Sequence, residues 1–180
     1  MGAIDTATRP DTIQLPVSAG EIDWEGAASL LTIAERYGRA HTRSAVPLLG
    51  FNLGRGAVAT TYSHDSHNLT VIGTSKAAMT LAANTVVEAG GGIAVVIGDQ
   101  IAALLRLPVG GLMSDRPIAE VVAAARAVRA ALGEWGYQHA NAFMSVSTLS
   151  LPVSPSLKLT DQGLVDVDRR AWADAVASHS

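Results

Sequence analysis

Apolar and small polar side chains alternate through "AVATTYS" (57–63), with Ala57, Ala59 and Thr61 on one side and Val58, Thr60 and Tyr62 on the other. A period of two is the signature of a strand, whose successive side chains face opposite ways. "NLTVIGT" (68–74) is a second β-type run, and only His64 to His67 lie between the two. A link that short predicts a hairpin. The period then changes. In "SKAAMTLAANTVVEAGGG" (75–92), Met79, Ala82, Ala83, Val86 and Val87 recur at spacings of three and four, which predicts a helix with one apolar face. Ser75 can cap its first turn, and Gly90–Gly92 end it, because glycine enters the left-handed region at little cost. "IAVVIG" (93–98) reads as a buried strand, "DQ" as a tight turn, and "IAALLRLPV" (101–109) as its hairpin partner. "SDRPIAEVVAAARAVRAALGEWG" (114–136) predicts a second helix. Ser114 or Asp115 would cap it, Pro117 suits the first turn, and Gly136 lies just past the end. Its apolar face is Val121, Val122, Ala125, Val128 and Leu132.

The remaining stretches are less regular. "EIDWEGAASLLTIAERYG" (21–38) has helical composition over Glu25 to Leu31, whereas "LLTIAERY" also suits a strand. "FMSVSTLSLPV" (143–153) alternates and predicts a strand, and "SPSLKLTDQGLVDV" reads as a loop. Strands joined by short links pair antiparallel. The expected class is therefore α+β: a two-layer domain with a mostly antiparallel sheet and two main helices on one face. The expected boundaries are a loose arm over 1–20, one domain over 21–167 and a polar tail over 168–180.

Composition narrows the functional classes. Charged residues make up 16 % of the chain, against about 25 % in ordinary globular proteins. A surface so thinly charged suggests cover by sister subunits or a partner chain; an alanine-rich composition is the other explanation. Net charge is −3 and the basic residues are scattered, which argues against nucleic acid. There is no cysteine, so thiolate metal sites and disulfides are excluded. No signal core and no apolar run of about 18 residues is present, so no membrane partner is expected and the cytoplasm is the expected location.

The densest coordinating chemistry is "SHDSHN" (63–68). Imidazoles and carboxylates are ligands for a divalent metal such as Mn, Zn or Fe. On a regular strand His64 and His67 would face opposite ways; in a turn they can converge. Three readings stay open: a metal site with His64, His67 and Asp65 as ligands; a histidine general base oriented by Asp65; or a polar turn whose Asp and Asn satisfy local N–H groups. Two histidines leave a metal underligated, so Asp115, Asp161, Glu88 or another chain would have to contribute. "GGLMSDRP" (110–117) offers a helix start, "EAGGG" a glycine-rich turn without P-loop residues, and "SLKLTDQG" (156–163) the side chains of Lys158, Thr160 and Asp161.

Four stretches in order, "GFNLGRGAVATTYSHDSHNLTVIGT", "EAGGGIAVV", "LPVGGLMSD" and "FMSVSTLSLPVSPSLKLTDQGLVDV", resemble the C-terminal domain of bacterial adenine deaminases over roughly residues 13–167. The resemblance implies relation to enzymes that hydrolyse adenine to hypoxanthine and ammonia. Their metal pair sits in an amidohydrolase barrel that lies N-terminal to this domain. No stretch here resembles that barrel, so the expectation is a cut-out domain or a free-standing relative. The resemblance carries over His64, Asp65, His67 and Asn68 as the working surface for a small polar substrate of heterocyclic type; the alternative expectation is a non-catalytic assembly or ligand-binding domain that partners a separate deaminase barrel. The expected roles are His64 and His67 as ligands or general base, Asp65 as ligand or orienter, and Asn68 as a hydrogen-bonding anchor. Ser63, Thr148 and Ser150 depart toward more polar residues than the family pattern, which has Ala at the first position and reads "SFLALP" at the late strand.

Overall fold

The structure, a computed structural model, describes residues 10–49 and 53–176. A small hairpin, β1 (Val17–Ser18) with β2 (Glu21–Ile22), precedes the main sheet. The sheet contains β3 (Ser29–Ala34), β4 (Arg43–Leu48), β5 (Gly56–Thr60), β6 (Leu69–Gly73), β7 (Gly92–Ile97) and β8 (Gln100–Arg106). Their spatial order is β4-β3-β6-β5-β7-β8, and every pairing is antiparallel. Helix α1 (Lys76–Glu88) follows β6, and α2 (Ile118–Trp135) follows β8. The chain ends with α3 (Ala142–Ser147) and a three-stranded meander of β9 (Leu157–Thr160), β10 (Gly163–Asp166) and β11 (Ala171–Ala173). The class is α+β with mostly antiparallel strands, as the hydrophobic pattern predicts.

The ambiguous 21–38 stretch resolves as strand. Ser29, Leu31 and Ile33 are buried while Leu30, Thr32 and Ala34 are half-buried, so the period of two decides it. Helix α1 is capped as expected: the Ser75 hydroxyl accepts the Ala78 N–H at 3.3 Å. The start of α2 shifts. Pro117 occupies the N-cap position without a side-chain bond, and the Ser114 hydroxyl instead accepts the Arg116 N–H. A residue before proline avoids helical backbone, so the helix begins after it. Gly136 closes α2 in the left-handed conformation, φ +106°.

The two main helices do not share a face. Val58, Ile72, Ile93 and Val95 pack toward Val128, Leu132 and Trp135 of α2. Ala57, Ala59, Val71, Ala94 and Val96 pack toward Ala78, Met79, Ala82 and Val86 of α1. Every residue of β5 is buried, which requires cover on both sides. The expected two-layer arrangement is thus corrected to a sheet between helices. Alanines on the α1 side let that helix approach closely, and Gly73 extends the effect, since a Cβ there would lie 2.4 Å from Met79 Cγ.

Two further expectations are corrected. The strand predicted over 143–153 begins instead as α3. Asn141 Oδ1 accepts the Met144 N–H, and the hydroxyls of Ser147 and Thr148 both donate to the Met144 carbonyl. These bonds satisfy a helical turn that Ser and Thr otherwise disfavour. Ala142, Val146 and Leu149 are the buried apolar residues of this stretch, at spacings of four and three. The stretch read as a loop is β9 and β10, joined at Asp161–Gln162, and β11 lies within the expected tail. Leu159 of β9 enters the α2-side core, which anchors the meander. Residues 10–16 of the expected arm form no helix or strand; 1–9 lie outside the described residues.

Candidate functional site

The loop between β5 and β6 spans 61–68, with a tight turn inside it: the His67 N–H donates to the Ser63 carbonyl at 2.6 Å. His67 takes φ +50°, a left-handed conformation that non-glycine residues adopt at a cost. The turn brings the two imidazoles together. Their ring centroids lie 5.6 Å apart with planes at 59°, and Tyr62 packs edge-on to His64 at 5.1 Å. The convergence that a strand forbids is therefore achieved by the turn. Both rings are half-buried, whereas Asp65 and Ser66 are exposed.

The rear of the loop is anchored by hydrogen bonds from four directions. From α3, the Ser147 carbonyl accepts the His64 N–H at 2.9 Å. From the following segment, Ser150 Oγ donates to the His64 carbonyl at 2.8 Å and lies 2.7 Å from Ser63 Oγ, which in turn lies 2.7 Å from Thr70 Oγ1. From the β9–β10 turn, Asp161 accepts the Asn68 amide at 3.1 Å and the Thr42 hydroxyl at 2.6 Å. From the β3–β4 turn, Arg36 Nε donates to the His67 carbonyl and Tyr37 Oη to the Ser66 carbonyl.

Each predicted residue can now be placed. His64 and His67 are brought together. His67 Nδ1 accepts the Ser63 N–H in a long 3.4 Å contact, and Nε2 makes no hydrogen bond among the described residues. Burial pushes the His67 pKa below the ordinary histidine value; the charges of His64 and Arg36 push the same way, and Asp65 opposes them. A neutral imidazole with a lone pair is the result at neutral pH. Asp65 hydrogen-bonds neither ring among the described residues; it acts on His67 through its charge. Asn68 is only 4 % exposed, and its amide is committed to Asp161 inside the fold. Among the described residues no three His, Asp or Glu side chains gather as a metal-binding group. Of the helpers considered, Asp161 is already shared by Asn68 and Thr42.

The other candidates take structural places. Gly110 and Gly111 lie against Arg36, and Thr61 Oγ1 donates to the Gly111 carbonyl at 2.7 Å. Gly92 opens β7 so close to β8 that a Cβ would lie 2.1 Å from the Leu105 carbonyl oxygen. Lys158 is 1 % exposed, and burial holds its pKa below the usual lysine range. Ser63 and Ser150, both expected to depart from the family pattern, form one hydrogen-bonded pair at 2.7 Å. Sequence reading missed Arg36 and Tyr37. They sit 31 and 29 residues from the carbonyls they hold, and no local pattern connects them.

The adenine deaminase C-terminal domain family model matches residues 5–171. Adenine deaminase 2 of Shouchella clausii is 47 % identical over 164 residues, covering 91 % of this chain and 29 % of that enzyme. The adenine deaminase of Clostridium perfringens is 42 % identical over 165 residues, 91 % of this chain and 29 % of the relative. That of Moorella thermoacetica is 45 % identical over 171 residues, 94 % and 29 % respectively. The chain thus spans under a third of the length of these relatives. It belongs to the adenine deaminase C-terminal domain family.

Proposed function

We propose that this chain serves an adenine deaminase and that its 61–68 loop presents His64 and His67 to the hydrolytic site, with the remaining groups supplied from outside the chain. The reaction adds water at the amino-bearing carbon of adenine and expels ammonia, leaving hypoxanthine. The observation that carries this reading is the convergence of two half-buried imidazoles on a loop whose main chain is held from behind. The fold commits hydrogen bonds from four directions to the loop that carries these two side chains.

The pair also fits a share in a divalent metal. Imidazole nitrogens sit about 2.0–2.1 Å from zinc, so two rings on one tetrahedral ion would have centroids roughly 5–5.5 Å apart, near the 5.6 Å observed. His64 and His67 would supply two of the donors, and a bound divalent ion would supply a water of lowered pKa. Asp65, exposed beside them, is placed to add charge. Without an ion, His67 is held in the form that accepts a proton, and His64 is its neighbour for relay. The lack of a third donor in the described residues favours action together with a barrel over catalysis by this chain alone.

The test is adenine hydrolysis by a deaminase whose own C-terminal third is replaced with this chain. The His64→Gln, His67→Gln double variant should lower kcat by about 100-fold or more, the scale of acid–base assistance. Activity equal to the unsubstituted chimera would overturn the reading.

A further inference from the structure

We propose that Arg36 is the positioning residue of the histidine loop: its guanidinium fastens the His67 main chain to the Gly110–Gly111 turn and so fixes how the His67 ring meets His64. The inference rests on the reading of that loop as the working surface. Arg36 lies in the β3–β4 turn, far in sequence from both partners. Its Nε donates to the His67 carbonyl, and Nη2 donates to the Gly110 carbonyl at 2.6 Å. The guanidinium stacks over the Tyr37 ring at 4.7 Å, and Tyr37 Oη reaches the Ser66 carbonyl at 3.0 Å. One turn therefore holds two consecutive carbonyls of the histidine loop.

Three features show that this is a fitted clamp. The first is chemical: no carboxylate among the described residues pairs with Arg36, and its donors go to two main-chain carbonyls and, at 3.3 Å, to the Tyr37 hydroxyl. The rigid fork reaches two acceptors at once, which a lysine ammonium on a flexible stem does not reproduce. The second is steric. A Cβ on Gly111 would lie 2.8 Å from Arg36 Nη2 and 3.0 Å from Cζ, so the guanidinium lies flat against a glycine. The third is conformational. His67 sits at φ +50°, and a non-glycine residue stays there only when its surroundings hold it. Arg36 grips the carbonyl of that same residue. Arg36 touches neither imidazole by hydrogen bond, so it acts through the backbone.

The experiment is NMR on the full chain, reading ring contacts among Tyr62, His64 and His67 and hydrogen exchange of the His67 amide, with α1 amides as controls. In Arg36→Gln and Arg36→Lys the contact between the imidazoles should be lost. The His67 amide should exchange about tenfold faster or more, as expected for loss of a charge-assisted bond. The α1 amides should be unchanged. Millimolar guanidinium should restore the loop signals in Arg36→Ala. If Arg36→Gln does not fold, Gly111→Ala approaches the same guanidinium from the other side and should loosen the same amide. Unchanged ring contacts and exchange in the folded variants, or no recovery with guanidinium, would overturn the inference. The function reading fails separately. In the chimeric deaminase Arg36→Gln should lower kcat with KM held; a loosened loop with full kcat would remove the loop's catalytic role and leave the clamp standing.

Discussion

Ser63→Ala should destabilise the protein through its neighbours more than through its own loss. Ser63, Thr70 and Ser150 are buried at 0 %, 0 % and 3 % exposure, and their hydroxyls form a chain of 2.7 Å contacts. Each hydroxyl has one proton to give. Ser150 gives its proton to the His64 carbonyl. Ser63 must then donate to Ser150, and Thr70 to Ser63. Removing the Ser63 hydroxyl leaves Thr70 with a buried donor aimed at a methyl group, and Ser150 with an unfilled lone pair. A buried donor without a partner costs about 1–3 kcal/mol, so Ser63→Ala should cost about 2–3 kcal/mol in total. That corresponds to a fall in Tm of about 4–12 °C for a domain of this size.

The directed chain yields a sign test. Thr70→Val alone leaves Ser63 with its donor satisfied and should cost about 1 kcal/mol. In the Ser63→Ala background, the same valine removes the orphaned donor and should stabilise by about 1 kcal/mol. Urea unfolding of the two single variants and the double variant closes the cycle, with an unchanged m-value confirming that the denatured state is not the cause. Additive effects, with valine equally harmful in both backgrounds, would refute the proton direction assigned to this chain.

Three other outcomes follow from the packing and the titration. Leu132→Ala removes a side chain 1 % exposed at the centre of the α2 side and should cost about 2–5 kcal/mol in a denaturant melt. Gly56→Ala places a Cβ 2.4 Å from the Val96 carbonyl oxygen and 2.6 Å from Trp135 Nε1. It should cost about 3 kcal/mol by overpacking and displace the Trp135 indole, readable by fluorescence. His67 has a depressed pKa in the folded state. The unfolded chain therefore binds its proton first as pH falls through the ordinary value near 6.5, and stability declines from there down to the folded value. His67→Gln should flatten that part of the stability–pH curve.

The fold was legible where a local rule and the tertiary structure agree. Ser75, the three-and-four spacing and the glycine stop define α1 without help from the rest of the chain. The faces covered by the helices were also written in the sequence, because "GIAVVI" (92–97) is apolar on both alternations and so needs cover on two sides. A strand buried on both alternations takes one helix on each face, against the expectation of both on one. The 142–149 segment misleads for a different reason. Its hydroxyl residues alternate like a strand, while its buried apolar residues keep helical spacing, and bonds to the main chain from Asn141, Ser147 and Thr148 decide the contest. The candidate site divides in the same way. The imidazole pair follows from the hairpin and its short link; the Arg36 clamp does not, because it joins segments 31 and 74 residues apart.

Donor accounting separates the back of the histidine loop from its front. The N–H groups of His64 and His67, the carbonyls of His64, Ser66 and His67, and the Asn68 amide are all consumed within the fold. Among the described residues, the side-chain groups of the loop without a hydrogen bond include the His64 ring, the Asp65 carboxylate and the Tyr62 hydroxyl. A loop serving only to connect β5 to β6 has no need of such partition: a hairpin of ordinary turn residues closes with one or two main-chain bonds. Here hydrogen-bonding groups from the β3–β4 turn, α3, the segment after it and the β9–β10 turn converge on eight residues, 61–68. Holding a loop so firmly is worthwhile when its side chains must meet something in a fixed geometry. Two imidazoles and one carboxylate are too few to enclose a metal or an adenine. On the proposed reading, they would finish a site whose larger part another domain supplies.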